Sequence, residues 1–448
     1  MMRKNIFVAV LAALGTGTCL AQTALVPTPA PPPASGPAAA PAAVPLSLQD
    51  AERMAVQNHP RIQSSESLAT AASAQVREAR AAYYPTATAS LTGVVSETNS
   101  RIAAGGLNNP IVYNRYSNGL YASQLITDFG RTHELVKSSN LHAQAQKENV
   151  VTTRAQVLLA VDQAYFGVLK SQAVLKVAQE TVKDRALVSD QVGALEKNKL
   201  KSGLDLSFAN VDLSQSQLLL IQAQNGLDAA YAGLSYALGL SDERAFTLIE
   251  PAAGADAPPA DLADLIQQAL HNRPELIGLQ LDVNAAQSYA AAERDLSLPT
   301  ISAAGVAGLT PYRQEELSSR YAAAGFNVNI PIFNGRLYSA LHAEATARAQ
   351  AQQQDLHDLQ NRVVRDVRTS WLNANSAYQR LAVTDELFNQ ASRALELADS
   401  RYHLGLSSII ELSQAELNKT EAEIQQASAR YDYQSQLAIL NFQTGLLH

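Results

Sequence analysis

The residues able to do chemistry are few and scattered. Eight histidines occur, His59, His133, His142, His271, His342, His357, His403 and His448, and no two stand in an HxxxH spacing. Cys19 is the single cysteine, so a tetrahedral zinc centre lacks its usual ligands. No Gly-x-Ser-x-Gly nucleophile elbow and no Walker-type phosphate loop is present. Asp128-Phe129-Gly130 spells a kinase triplet, but without the other kinase motifs it reads as a chain corner. The pattern predicts no active site, no metal and no cofactor. What the side chains can do is choose between lipid and water.

That choice is clearest at Phe326-Asn327-Val328-Asn329-Ile330-Pro331-Ile332, where Phe326, Val328, Ile330 and Ile332 alternate with Asn327 and Asn329. Alternation over about ten positions marks a membrane barrel strand, apolar outward and polar inward. Two strand pairs are expected, Thr86–Thr98 with Tyr116–Thr127 and Thr300–Thr310 with Tyr321–Ile332. The first pair is joined by the turn-rich segment Gly105–Pro110 and the second by Pro311–Arg320. Tyr83, Tyr84, Tyr113, Tyr116, Tyr312 and Tyr321 gather near the strand ends, where an interfacial aromatic girdle would sit. Four strands cannot close a barrel, and open edges are not tolerated in lipid. Closure therefore needs further copies of the chain; three would supply twelve strands.

The elements that must position these strands are duplicated. Asn58-His59-Pro60 recurs as Asn272-Arg273-Pro274, and Tyr84-Pro85-Thr86 as Leu298-Pro299-Thr300, both offset by 214 residues (60 to 274, 85 to 299). Gly130-Arg131, Gly203-Leu204 and Gly239-Leu240 pair with Gly335-Arg336, Gly405-Leu406 and Gly445-Leu446 at offsets of 205, 202 and 206. A repeated unit of this kind predicts two similar halves, 46–240 and 261–448, joined by a linker over 241–260.

Four heptad series predict long helices wound into a left-handed supercoil. Val161, Val168, Leu175 and Val182 form one, and Val367, Ala374, Leu381, Phe388, Leu395 and Tyr402 a second. Leu206, Leu213, Leu220, Leu227 and Leu234 form a third, and Ile410, Leu417, Ile424, Tyr431 and Ala438 a fourth. The polar positions between them favour Gln, Asn and Ser over Glu/Lys pairs, which suits close packing beside a water-filled space.

At the N-terminus Arg3 and Lys4 precede the apolar run Ile6–Leu14, and Leu20-Ala21 follows. That reads as a signal peptide over 1–21, hence export. Cys19 leaves with it; the alternative, a lipidated Cys19, is disfavoured by Thr16-Gly17-Thr18 in front of it. Residues 22–45 are rich in Pro and Ala and read as a semi-extended linker. The formal charge of −7 becomes −9 without Arg3 and Lys4, and no basic stripe is present, which argues against nucleic acid as a partner. No run of about 18 apolar residues occurs, so no spanning helix is expected.

From Leu46 to His448 the chain resembles the TolC family of outer-membrane factors. The resemblance is carried by Asn58-His59-Pro60, by Tyr84-Pro85-Thr86 before the strands and by Asn334-Gly335-Arg336 after them. Tyr402-His403-Leu404-Gly405-Leu406-Ser407, before the final helix, completes it. It implies a mainly α fold with a membrane β-barrel portion. Each chain would have two tandem repeats of coiled-coil helices and a β-hairpin. A homotrimer would build a 12-stranded barrel in outer-membrane lipid on a 12-helix periplasmic α-barrel. Such proteins are passive exit ducts for multidrug efflux or type I secretion. A periplasmic adaptor (membrane fusion) protein links them to an inner-membrane RND or ABC transporter. The rival reading is a non-pore periplasmic coiled-coil scaffold or adaptor, which needs no lipid-facing strands. Met54 is the only methionine beyond the signal, which argues against soft-metal cargo.

The resemblance also implies where the duct is worked. Lys199–Leu204 and His403–Ser408 would be the two periplasmic tip turns, with Gly203, Leu204, Gly405, Leu406 and Ser407 meeting the adaptor. Glu411 matches the first position of the family's acidic gate ring; the second is Gln414, and Asp212 is a further candidate in the first copy. The family's gate arginine, two residues past the turn glycine, is replaced by Ser407. Its salt link is therefore not expected, and Tyr402 is expected to help hold the closed state.

Overall fold

The computed structural model describes residues 44–97, 100–101, 111–241, 246–251, 257–315 and 317–447. The expected signal peptide, nearly all of the Pro/Ala linker and the segment Gly105–Pro110 lie outside the described residues. The elements run β1 (Val44–Leu46), α1 (Leu48–Asn58), α2 (Pro60–Ala81), β2 (Thr86–Val94), β3 (Arg115–Thr127), α3 (Arg131–Lys197) and α4 (Gly203–Ala237). The second half follows as β4 (Phe246–Leu248), α5 (Leu262–Asn272), α6 (Pro274–Asp295), β5 (Thr300–Arg313), β6 (Arg320–Asn329), α7 (Leu337–His403) and α8 (Ile409–Gln443). α3 and α7 each hold 67 residues, roughly 100 Å at about 1.5 Å per residue. Among the described residues no helix is long and apolar enough to cross a membrane.

The repeat is more regular than the sequence pairs suggested. α1/α5, α2/α6 and β2/β5 begin 214 residues apart; α3/α7 and α4/α8 begin 206 apart. The offset therefore changes once, in the hairpins, and does not drift. This corrects the pairing at the helix turns. Lys199-Leu200, not Gly203-Leu204, is the counterpart of Gly405-Leu406.

Each half opens with the same corner. Pro60 and Pro274 begin α2 and α6, where a missing N–H costs nothing. In the first copy His59 is buried, and burial followed by the nearby Arg61 charge lowers its pKa. The neutral ring leaves Nδ1 free to accept from Arg61 N at 3.2 Å. In the second copy Arg273 instead donates to Gln443 and Glu275, at 2.9 and 2.7 Å. Both corners are met by a left-handed glycine from the far end of the half. A Cβ on Gly239 (φ +74°) would lie 2.8 Å from His59 Cα, and one on Gly445 (φ +75°) 3.2 Å from Asn272 C. These contacts explain why the Asn-x-Pro and Gly-Leu pairs recur together.

α3 is the central helix, packing on α1, α2, α4, α6 and α8. Val161 and Val168 are fully buried in a core with Leu46, Ile62, Tyr165 and Leu234. The Tyr165 hydroxyl lies 3.0 Å from Leu46 O and 2.6 Å from Ile249 O, holding the parallel β1–β4 ribbon on the helices. This ribbon corrects the two expected linkers: Val44-Pro45 pairs with Phe246-Thr247, and Leu46 with Leu248. One turn from Tyr165, Asp162 is buried beside Glu52, and burial with that neighbouring carboxylate pushes its pKa to about 8. Not every heptad series is buried in the protomer. Val367 and Ala374 are fully covered, whereas Ile410 and Leu417 of the fourth series are exposed on α8.

The four long strands form one antiparallel sheet in the order β2-β3-β5-β6. β6 ends at Asn329, so Ile330-Pro331-Ile332 lies beyond it, and β2 ends at Val94, short of Thr98, which lies outside the described residues. Side chains alternate between faces along each strand, and the registers fix which ones share a face. Leu91, Leu120, Ile301, Leu309, Phe326 and Val328 stand on one side with alanines between them, interrupted by Asn118 and Gln124. Thr86, Thr88, Ser90, Thr92, Ser302, Asn327 and Asn329 stand on the other, with Val306 and Leu125 among them. Phe326 is 80% exposed.

The glycine contacts give a graded expectation. Gly405 is also left-handed (φ +73°) but meets nothing within 4 Å. Gly405→Ala should cost about 1–2 kcal/mol, the left-handed strain alone. Gly239→Ala adds a backbone collision and should lower the thermal unfolding midpoint clearly further. Equal losses from the two variants would contradict the docked-corner account.

Candidate functional site

The candidate site is the end of the bundle where α3 turns into α4 and α7 into α8. Both turns close in the same way. Leu200 N donates to Leu195 O at 2.9 Å and Leu406 N to Arg401 O at 2.8 Å, the 6→1 bond of a Schellman ending. The residue before each is left-handed, Lys199 at φ +62° and Gly405 at φ +73°. Gly203, which the sequence pairs with Gly405, is instead the first residue of α4. Ser202 then caps α4 reciprocally with Asp205, and Ser408 accepts from Glu411 N at 3.4 Å at the start of α8. Asp205 is thus the counterpart of Glu411. The hydrogen bonds from Ser202 hold the Asp205 pKa below the ordinary carboxylate value.

The turns expose four leucines beside the exposed polar residues Lys199, Ser202, His403 and Ser408. Leu200, Leu204, Leu404 and Leu406 are all exposed. Ser407 is half-buried, and its hydroxyl has no hydrogen-bond partner. Behind the turns, Val192, Ala209, Tyr402, Ile409 and Leu412 form a buried cluster that joins the ends of all four helices.

Tyr402 is 3% exposed and its hydroxyl has no hydrogen-bond partner. Burial raises its pKa, so the group stays neutral. The ring is held by Lys201, whose Nζ sits 3.6 Å from the centroid, a cation–π contact. Tyr402 therefore contributes through its ring, not through a polar latch.

Ser407 makes no such link, but a different one is present at this end, from Arg401, four residues before Gly405. Its guanidinium reaches Glu411 Oε1 at 3.1 Å and Leu406 O at 3.4 Å, tying α7 to α8. Both side chains are about half exposed, so the pair is worth only about 0–1 kcal/mol. Gln414, one turn further along α8, donates to Asn418 at 3.0 Å. Asp212 does not share the place of Glu411. It accepts from the Ser413 hydroxyl, which ties α4 directly to α8.

Deeper in the bundle the ties are stronger. Arg185 of α3 and Glu416 of α8 form an ion pair with both side chains buried. Burial lowers the Arg185 pKa, opposed by Asp212 and Asp184. Removing one member of a buried pair costs about 3–5 kcal/mol, because the other charge is stranded. Arg185, Asp212, Gln414 and Leu417 line a cleft of about 710 Å³ between α4 and α8. Among the described residues no cluster of three or more His, Cys, Asp or Glu side chains is placed to hold a metal ion.

At the sheet, Tyr83 and Tyr84 are exposed where α2 meets β2, and Tyr116 stands opposite Tyr312 near the other end, both exposed. Tyr113 is half-buried outside the strands. Tyr321 departs from the expected girdle. It lies on the polar face, and its hydroxyl donates to Asn118 O at 3.2 Å.

Sequence reasoning missed Arg401, Arg185 and Glu416. The spacing of Arg401 and Glu411 across the turn was the available signal. The buried pair has none, since its members lie more than two hundred residues apart.

A family model described as outer membrane efflux protein matches residues 53–240 and 265–446. The chain is similar to the protein CyaE of Bordetella pertussis, 24% identical over 322 residues. That match covers 69% of this chain and 65% of CyaE, just under two thirds of its length. It is similar to the outer membrane protein TolC of Vibrio cholerae, 23% identical over 294 residues, 63% of this chain and 66% of that protein. The crystal structure of the CmeC outer membrane channel of Campylobacter jejuni superposes with a TM-score of 0.79 at 16% identity. It covers 89% of this chain and 85% of CmeC, and so shares its fold.

Because the Tyr402 oxygen is unpaired, Tyr402→Phe should leave unfolding unchanged or slightly raised, with an upper bound of about 1–3 kcal/mol for an orphaned buried hydroxyl. Tyr402→Ala, which removes the ring, should lose about 3–5 kcal/mol. A destabilised or more conductive Tyr402→Phe protein would mean that the hydroxyl has a partner in the closed assembly.

Proposed function

The chain belongs to the outer membrane efflux protein family, and on that premise we propose that it is a passive outer-membrane exit duct serving an efflux pump or a type I secretion system. The observation that carries this reading is the two-faced sheet. Leu91, Leu120, Phe326 and Val328 face one way without cover inside the protomer, and a row of Thr, Ser and Asn faces the other. A soluble scaffold gains nothing from exposing that apolar face. A barrel wall uses both faces, lipid outside and water inside.

Three copies give twelve strands and remove the open edges that lipid forbids. Their α3, α4, α7 and α8 helices would then continue the wall as a 12-helix tube below the membrane. The exposed girdle tyrosines fit the two levels of the membrane interface. The tip turns suit a periplasmic adaptor: Leu200, Leu204, Leu404 and Leu406 are exposed apolar side chains on turns backed by a buried cluster. The adaptor would connect the duct to an inner-membrane RND or ABC transporter. No reaction is assigned to the duct itself, and energy enters at the transporter.

Glu411 is read as a gate residue whose charge is partly cancelled by Arg401. Opening separates α7 and α8 at the turn, breaks that weak pair and frees three carboxylates in one aperture. Like charges converging in a narrow opening select cations.

Reconstitution in a planar bilayer tests both levels. The wild-type protein should insert and show cation-selective openings, whereas a scaffold would show none. Glu411→Ala leaves Arg401 uncompensated, so the reversal potential in a salt gradient should move toward anion selectivity. An unchanged reversal potential would remove Glu411 from the aperture and leave the duct reading intact.

A further inference from the structure

Tyr321 sits where the sheet has been cleared for it. Along one row of the sheet, Gly119 of β3 pairs with Gly308 of β5, and Gly308 pairs with Tyr321 of β6. The side chain of Tyr321 crosses this row, and its hydroxyl donates to Asn118 O at 3.2 Å, two strands away. A Cβ at Gly119 or at Gly308 would collide with the phenol, and one at Gly308 also with Asn118 O. The ring is half-buried. Glycine in a strand interior weakens it and marks a close approach; here two glycines in register accept one aromatic ring laid along the wall.

The row is one residue in from the loop end of β6, the end away from the helices. Its face is the one carrying Asn327, Asn329 and Ser302. In the proposed barrel that face lines the bore, and the row lies next to the outer mouth. We propose that Gly119 and Gly308 form a notch that parks the Tyr321 ring against the wall, and that this parking sets the width of the duct's exit. The inference rests on the duct reading. Tyr321 is a positioning element of the pore wall, and the glycines are what keep it out of the path of cargo. Any side chain at Gly308 would evict the ring, and three rings would then enter the bore at one level.

Conductance is governed by the narrowest point, which the closed tip supplies, so the exit must be probed from its own side. The measurement is the size cut-off for neutral polyethylene glycols added at the loop side of inserted channels. Gly119→Ser, whose severe collision is with the Tyr321 phenol, should shift the largest admitted polymer to a smaller size, and Gly119→Ser with Tyr321→Ala should restore the wild-type cut-off. Tyr321→Ala alone should leave the cut-off unchanged, because a parked ring takes no room from the bore. A wild-type cut-off in Gly119→Ser channels would overturn the proposal. So would a double variant that stays narrow, or a wider exit in Tyr321→Ala. The last holds even if Gly119→Ser fails to assemble. Failure of the duct reading looks different, since wild-type protein would then give no channels at all.

Discussion

β2 and β6 are the edge strands of the sheet, and among the described residues no further strand pairs with the backbone N–H and C=O groups of their outer edges. In a bilayer no solvent can satisfy them, and each group left bare costs several kcal/mol. This constraint organises the rest of the molecule. It rules out a lone four-stranded sheet in lipid and calls for further copies at both edges. The two-faced composition of the sheet answers the same demand from the side chains: apolar residues where lipid would lie, hydroxyls and amides where water would. Under the proposed function a tube of helices would follow, because every strand pair is spliced to helices through a short corner at Pro85, Asp128, Pro299 or Gly335.

The helical end obeys a different balance. Near the turns the polar ties are half exposed and weak, with Arg401–Glu411 as the example. Further in, Arg185–Glu416 is buried and expensive to break. Strength therefore rises with distance from the tip. Under the proposed function this gradient is what a gate needs: the last turns can part while the bundle behind them stays assembled. The apolar cluster around Tyr402 lies at the boundary, held by packing and a cation–π contact that can rearrange without stranding a buried charge.

Much of the fold was legible in the sequence because its signals are local. Pro60 and Pro274 start helices, Pro85 and Pro299 precede strands, and alternation at Phe326–Asn329 names the faces. The errors arose where geometry is set by something other than the expected residue type. Lys199 adopts a left-handed conformation without being glycine, so the visible glycine, Gly203, drew the alignment four residues away. β1 and β4 are three residues each, too short to show a period, and the proline-rich flank hides the first. Ile410 and Leu417 carry a true heptad spacing, but within one chain they remain exposed. Tyr321 looked like its girdle neighbours because composition cannot tell which side of a strand a ring folds toward. That depended on Gly308 and Gly119, one and two strands away.

The central claim is that the sheet is one third of a closed wall. Its most direct test is the mass of the assembly extracted from outer membranes in mild detergent, measured by native mass spectrometry. The account predicts three chains and no stable smaller species while the sheet is intact. A folded single chain, or a protein that leaves the membrane fraction without detergent, would contradict it.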